Sequence, residues 1–449
     1  MLRRSLLVLM LILAAAAAPA QLRIEHYELP NGLDVVLNED HSAPLVAVNV
    51  WYHVGSKNEV PGRTGFAHLF EHMLFSGSKN VGANEHFRHV QSVGGTLNGS
   101  TTLDRTNYYE TLPSNYLALG LWLEADRMGF FLPTLSQERL DVQKNVVKEE
   151  RRQRYENVPY GIWLETLLRN GFPQGHPYSW PTIGSMADLT AAQLEDVKDF
   201  FRRYYAPNNA VLTVTGDFDP AEARALIQKY FASIPAGPAI QRPSIAPRRG
   251  VGEARETLEG AVQLPRVYRL YRLPKFGDRG WFAGALLANI LGRDKASRLE
   301  RSLVYEQQIA QDVVAFMWDA ELEGMLMLWA TAKQGVSPEK LEAALDAEIE
   351  KVIRNGVTET ELERAKVQTE TDFAHELEEF SARADFLSML TTYFGDPKIA
   401  HNWLDRYRQI TAADVQNVAR DSMKKEDRVT LYYLPQKKSA ERPAAGGAR

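Results

Sequence analysis

Cysteine is absent from the 449-residue chain, which excludes disulfides, thiolate ligands for a metal and a lipid-modified cysteine anchor. Beyond residue 20, no apolar run approaches the roughly 20 residues that a membrane-spanning helix needs. Positive charge is in slight deficit, 52 Lys and Arg against 57 Asp and Glu for a net charge of −5, and a mildly acidic surface argues against nucleic acid as a partner. Histidine is scarce, with ten in the whole chain. Two of the ten stand four residues apart, and that pair is the most informative feature present.

The first twenty residues carry a compartment signal. Met1 to Arg4 is a short basic start, Leu6 to Leu13 an unbroken apolar core, and Ala18-Pro-Ala20 a small-residue cleavage site, the pattern of a cleavable secretory signal peptide. The rival, an uncleaved anchor, fits less well, because the apolar run is short for spanning and the cleavage site follows it directly. Cleavage after Ala20 removes Arg3 and Arg4 and takes the net charge from −5 to −7. The expectation is a periplasmic or secreted protein with no membrane span once the leader is gone.

With 45% apolar residues, the remainder can build two globular domains of about 200 residues each. An internal repeat supports that division. Leu189-Thr-Ala-Ala-Gln-Leu194 leads through a helix into Val211-Leu-Thr-Val-Thr215. Ile410-Thr-Ala-Ala-Asp-Val415 leads likewise into Val429-Thr-Leu-Tyr-Tyr433, 221 residues later. Duplicated α/β domains are the expectation. Between them, Ala236 to Arg249 is proline-rich without apolar periodicity and reads as a linker. Long amphipathic helices dominate the second half, as in Pro338 to Asn355 and Glu359 to Leu377. The residues after Gln436 are polar and rich in Gly and Ala, the composition of a disordered tail.

The histidine pair lies in His68-Leu-Phe-Glu-His72. On a helix the two imidazoles point the same way, and Glu71 leans over the same face. Two nitrogen ligands and a carboxylate within little more than one turn outline a hydrolytic zinc site, in which the metal acidifies water and Glu71 takes the proton. Alone, the five residues also fit a surface turn that binds nothing. A catalytic zinc site needs a third protein ligand, and a carboxylate is an accepted one. The segment from Asn145 to Gly161 offers Glu149 and Glu150 on a predicted helix, whose Val146 and Val147 are expected to pack inward.

Four blocks taken in order resemble the M16 metallopeptidases, also called inverzincins or pitrilysin-like peptidases. They are Trp51 to Glu59, Gly65-Phe-Ala-His-Leu-Phe-Glu-His-Met-Leu-Phe-Ser-Gly77, Gly94 to Tyr108 and Val146 to Gly161. The likeness is to half-length members such as the beta-type subunits of mitochondrial processing peptidase. It implies an α+β fold of two homologous α/β domains, each an antiparallel-rich sheet covered by helices, together forming half of a clamshell. The implied division is a zinc-binding catalytic domain at 21–235, a linker at 236–264, an inactive C-terminal domain at 265–436 and a tail at 437–449.

The resemblance further implies one zinc ion held by His68, His72 and Glu150, with Glu71 as catalytic base. Glu150 is preferred to Glu149 because the family places two apolar residues four and three positions before its ligand, matching Val146 and Val147. Family members often carry an acidic residue seven positions before that ligand, where this chain has Gln143. The block from Gly94 to Leu112 reads as a strand, and in the family it is an edge strand to which substrate adds as a further strand near Asn98 and Gly99. The family has alanine where Gly99 stands, a change expected to loosen the strand slightly. Asn98-Gly-Ser100 also matches a glycosylation acceptor and is discounted as a chance match.

The second half holds only His375 and His401 and no second HxxEH. In the family this half contributes an arginine and a tyrosine, seven residues apart, that steady the developing oxyanion. The corresponding positions here are Val304 and Gln311, while Arg301 and Tyr305 are only four apart and read as helix surface. The implied reading is a zinc-dependent endopeptidase acting on short or unfolded peptides. Its second M16 chain would be either a zinc-free subunit bringing the arginine and tyrosine, in a heterodimer, or another copy, in a homodimer. The rival classes are a non-catalytic scaffold of the same fold and a peptide- or metal-binding carrier.

Overall fold

A computed structural model of the chain describes residues 22–245 and 252–436. The expected leader at 1–20 and tail at 437–449 lie outside the described residues.

The first sheet contains β1 (Ile24–Glu28), β2 (Asp34–Glu39), β3 (Leu45–Tyr52), β4 (Thr96–Thr101), β5 (Thr106–Pro113) and β6 (Ala210–Gly216). The second contains β7 (Ala254–Gly260), β8 (Arg266–Leu273), β9 (Ala310–Trp318), β10 (Gly324–Ala332) and β11 (Arg428–Pro435). Their spatial orders are β1-β2-β6-β3-β5-β4 and β7-β11-β8-β10-β9. Apart from the extra β1 the two orders are the same, and each sheet has one parallel pair, β2 with β6 and β7 with β11. Shifting β3 by the 221-residue repeat places it on 266–273, the bounds of β8. The duplication read from the sequence is therefore present in strand order and direction.

The strand β7 falls inside the stretch expected as linker, so the second sheet begins well before residue 265. Its sequence, Ala-Arg-Glu-Thr-Leu-Glu-Gly, has little apolar content, and it joins the sheet edge through backbone pairing to β11. The block expected as one strand from Gly94 to Leu112 is a hairpin of β4 and β5. Its turn is fixed by Thr102 Oγ1, which accepts the backbone N–H groups of Asp104 and Arg105 at 3.2 Å each.

Helices of the first half are α1 (Phe66–Met73), α2 (Glu85–Ser92), α3 (Leu117–Phe130), α4 (Gln137–Arg151), α5 (Trp163–Gly171), α6 (Met186–Ala191), α7 (Leu194–Tyr204) and α8 (Pro220–Phe231). Those of the second are α9 (Arg279–Gly292), α10 (Pro338–Asn355), α11 (Glu359–Glu376), α12 (Phe380–Phe394), α13 (Trp403–Arg408) and α14 (Ala412–Ser422). One face of each sheet packs on its own half's helices, building two apolar cores, one around Val48, Phe70 and Leu212 and one around Leu286, Leu328 and Leu345.

The opposite faces are covered by exchange. The first-half helix α5 lies on β8 and β11, with Leu167, Leu168 and Phe172 against Leu270 and Leu431. The second-half helix α12 lies on β3 and β6, with Leu387 against Trp51 and Val211, Ser388 bonded to Thr213 at 2.8 Å and Arg383 paired with Asp40 at 2.6 Å. The two helices are equivalent, since shifting α5 by 221 residues places it within α12. Each half thus completes the other's apolar layer.

Candidate metal centre

The helix α1 is short and almost wholly inward-facing, with Phe66, Leu69, Phe70 and Met73 buried. It begins at Gly65, whose φ of +88° is the left-handed region, and a side chain there would meet the Ile183 carbonyl oxygen at 2.8 Å. Gly65 has no side chain with which to cap the helix. The cap comes from Glu59, whose two carboxylate oxygens accept the N–H groups of Gly65 and Ala67, each at 2.9 Å. Burial pushes the Glu59 carboxyl up to about 8, against the two N–H donors that favour its ionised form.

His68 and His72 share one face of α1, with ring centroids 4.8 Å apart and planes at 80°. The helix α4 crosses α1 and brings Glu150 Oε2 to 3.0 Å from His72 Nε2 and 3.7 Å from His68 Nε2. The three donor atoms all lie within 4.8 Å of one another, and no other three His, Asp or Glu side chains converge in this way among the described residues. Burial drives the His68 imidazole down to about 4, so it is neutral, and its Nδ1 has no partner. The hydrogen bond from His72 holds the Glu150 carboxyl below its ordinary range. Two imidazoles and one ionised carboxylate converging at a cavity wall suit zinc with a coordination position left open.

Glu149 is directed elsewhere, with a side chain 60% exposed and paired to Arg152. The second oxygen of Glu150 forms an ion pair with Arg154 at 2.8 Å, a contact that the sequence reading missed although its i,i+4 spacing signals it. Val146 and Val147 divide: Val147 is fully buried, whereas Val146 is 44% exposed. The expectation that both pack inward fails for Val146. With Val142 and Glu150 it forms a stripe at i, i+4 and i+8 that faces the cavity. Gln143 also lines this wall.

Glu71 Oε2 accepts a hydrogen bond from Thr101 Oγ1 at 2.7 Å, and burial raises the Glu71 carboxyl. Thr101 ends β4, the outermost strand of its sheet. Gly99, on the same face, is buried against α1, where a Cβ would come to 3.0 Å from Phe75 and 3.3 Å from Glu71. The glycine therefore admits a close approach of strand to helix. Asn98 is exposed on the cavity rim, its Oδ1 accepting the Gly99 N–H at 2.9 Å.

These groups open on a cavity of about 1000 Å³, with Phe75, Phe87, Val142, Val146, Arg154 and Tyr155 among its walls. The second-half positions lie away from it. Arg301 pairs with Glu306 on the surface, Tyr305 is 50% exposed, Val304 packs on the second core, and Gln311 is exposed on the edge strand β9. None of the four lines the cavity.

A half-clamshell of two equivalent α+β domains, with an HxxEH helix and a distant glutamate converging on one cavity, defines a class of metallopeptidase. The chain belongs to peptidase family M16: residues 34–184 match the family described as Insulinase (Peptidase family M16), and residues 191–369 match the Peptidase M16 inactive domain. It is 29% identical over 95% of its length to the zinc protease PqqE of Helicobacter pylori, covering 97% of that protein. Its fold superposes on the crystal structure of a protease from Helicobacter pylori with a TM-score of 0.87, at 29% identity, over 92% of this chain and all of the other. The periplasmic protease PqqL of Escherichia coli matches in fold with a TM-score of 0.74 at 20% identity, over 93% of this chain and 48% of that one.

Proposed function

We propose that the chain is a zinc-dependent endopeptidase that hydrolyses short or unfolded peptides. The observation that carries this reading is the contact between Glu71 and Thr101. A carboxylate adjacent to a two-histidine, one-glutamate cluster is held by the strand at which an extended peptide would dock.

His68, His72 and Glu150 would hold the ion. When bound, zinc supplies a Lewis acid for the peptide carbonyl and makes water acidic enough to act near neutral pH. An extended peptide adds to the free edge of β4 through main-chain bonds, so recognition reads backbone more than side chains. Glu71 takes a proton at its carboxylate and returns it to the departing amine, while Thr101 Oγ1 keeps that carboxylate turned towards the cavity. Phe75, Phe87, Val142 and Val146 offer apolar contact to the side chain beside the scissile bond.

The chain acts as the zinc-bearing half of a two-chain clamshell. Among the described residues the walls of the metal cavity all come from 68–183, so the described second half offers it no arginine or tyrosine, and the match to about half of PqqL fits one half of such a shell. A zinc-free M16 subunit bringing those side chains is the favoured partner, and a fully active homodimer would refute it. The leader pattern assigns the protein to the periplasm or outside the cell, and no described helix is long and apolar enough to cross a membrane.

The test is hydrolysis of a mixed pool of unstructured peptides by the zinc-loaded mature chain, with Glu71→Gln as control. Cleavage that vanishes in the variant supports the reading. Absence of cleavage both alone and with candidate M16 partners rules it out.

A further inference from the structure

The edge strand β4 is held from both faces. On one, Thr101 bonds Glu71 and Gly99 packs beneath α1. On the other, Ser100, Asn107 of β5 and Trp51 of β3 form one cross-strand row, and Asp385 of α12 lies over it. Asp385 Oδ1 accepts the Trp51 indole N–H at 2.6 Å and an Asn107 side-chain N–H at 2.9 Å. Asn107 Oδ1 in turn accepts from Ser100 Oγ at 2.8 Å and Arg105 at 3.0 Å. Arg105 closes the set by donating to the Ser100 carbonyl at 2.9 Å and lying over the Trp51 ring at 5.2 Å.

The direction of these bonds carries the argument. Asn107 is buried, at 2% exposure. With its oxygen taken by Ser100 and Arg105, its nitrogen must find an acceptor. Besides Asp385, the only one among the described residues is Asn49 Oδ1 at 3.4 Å. The carboxylate that orients the amide therefore comes from the other half of the chain. The amide in turn fixes Ser100, which stands between Gly99 and Thr101 on the strand beside the metal cluster.

We infer that Asp385 is a positioning residue, through which the half of the chain without metal ligands sets the placement of the edge strand by way of Asn107 and Ser100. This rests on the proposed peptidase reading only for its consequence: a misplaced β4 weakens substrate docking before it alters the metal site.

The experiment is hydrogen exchange on the zinc-loaded full chain, with KM, kcat and zinc content measured alongside, for wild type, Asp385→Ala, Asp385→Asn and Ser100→Ala. Loss of one buried acceptor is expected to speed exchange across residues 96–101 about tenfold in Asp385→Ala. The same variant should raise KM by a similar factor with zinc content unchanged. Asp385→Asn keeps an acceptor oxygen and should restore both. Ser100→Ala cuts the row at its sheet-edge end and should reproduce the local loosening even if Asp385→Ala fails to fold. Unchanged exchange at 96–101, or equal acceleration throughout the first sheet and α12, overturns the inference. Local loosening with no cleavage by any of the proteins, alone or with candidate M16 partners, would uphold it and reject the peptidase reading instead.

Discussion

Glu59 and Ala67 are joined by a hydrogen bond of 2.9 Å that runs from the first turn of the metal helix to a buried carboxylate eight residues earlier in the chain. His68 follows Ala67 directly. The placement of the first imidazole thus depends on a group outside its own helix. Glu59→Ala should leave two buried N–H groups without an acceptor and lower stability by about 1–3 kcal/mol. Zinc affinity should fall about tenfold, because a ligand's support is lost while the ligand remains. Thermal unfolding and a competitive zinc titration check the two effects.

Glu71 holds no part of the metal cluster but faces the same cavity. Glu71→Gln keeps the shape and the bond from Thr101 while removing the proton acceptor. The variant should fold, retain zinc, and lose about a hundred- to ten-thousand-fold in kcat. Peptide hydrolysis and metal analysis on one preparation separate these outcomes, and wild-type activity would end the assignment of Glu71 as base.

Adjacent glutamates on α4 should behave differently. Glu150→Ala removes one of three ligands and should weaken zinc binding more than about 100-fold, whereas Glu149→Ala, which loses only a surface pair with Arg152, should leave affinity unchanged. Zinc titration of both variants decides which carboxylate is the ligand.

The two valines of α4 allow a similar contrast. Val147→Ala opens space in the core and should cost about 2 kcal/mol. Val146→Ala should change stability by no more than about 0.5 kcal/mol, yet alter KM for peptides with apolar side chains. Urea unfolding and peptide kinetics test the pair.

Acid should loosen the junction between the halves. Glu321, in the turn between β9 and β10, bonds His53 at 2.6 Å and pairs with Lys57, which also meets Asp104 at 3.0 Å. Burial raises the Glu321 carboxyl, but the bond from His53 and the Lys57 charge hold it at about 2. Its folded pKa is thus below its unfolded one. The stability it contributes is complete above about pH 4.5 and is lost as pH falls towards 2, up to about 3 kcal/mol. Burial also lowers His53, despite the bond to Glu321, so His53 acts in the same direction below its unfolded pKa of 6.5. Stability measured from pH 7 to 3 should fall, and Glu321→Gln should flatten the part below pH 4.5.

What the sequence determined by itself was local in origin. His68, Glu71 and His72 lie within five residues of one helix, so spacing alone places them on one face, and the repeat at 221 residues announced two equivalent domains. Tertiary structure decided everything that depends on elements meeting. Glu150 rather than Glu149 reaches the histidines because of how α4 crosses α1. Val146 faces the cavity because that crossing leaves one stripe of α4 uncovered, and β7, polar in sequence, is a strand because β11 supplies its backbone partners. Glu59 caps a helix it does not belong to, and Asp385 reaches Asn107, 278 residues away in the chain. Chain entropy permits such long-range contacts only once both apolar layers have closed, so no local pattern records them.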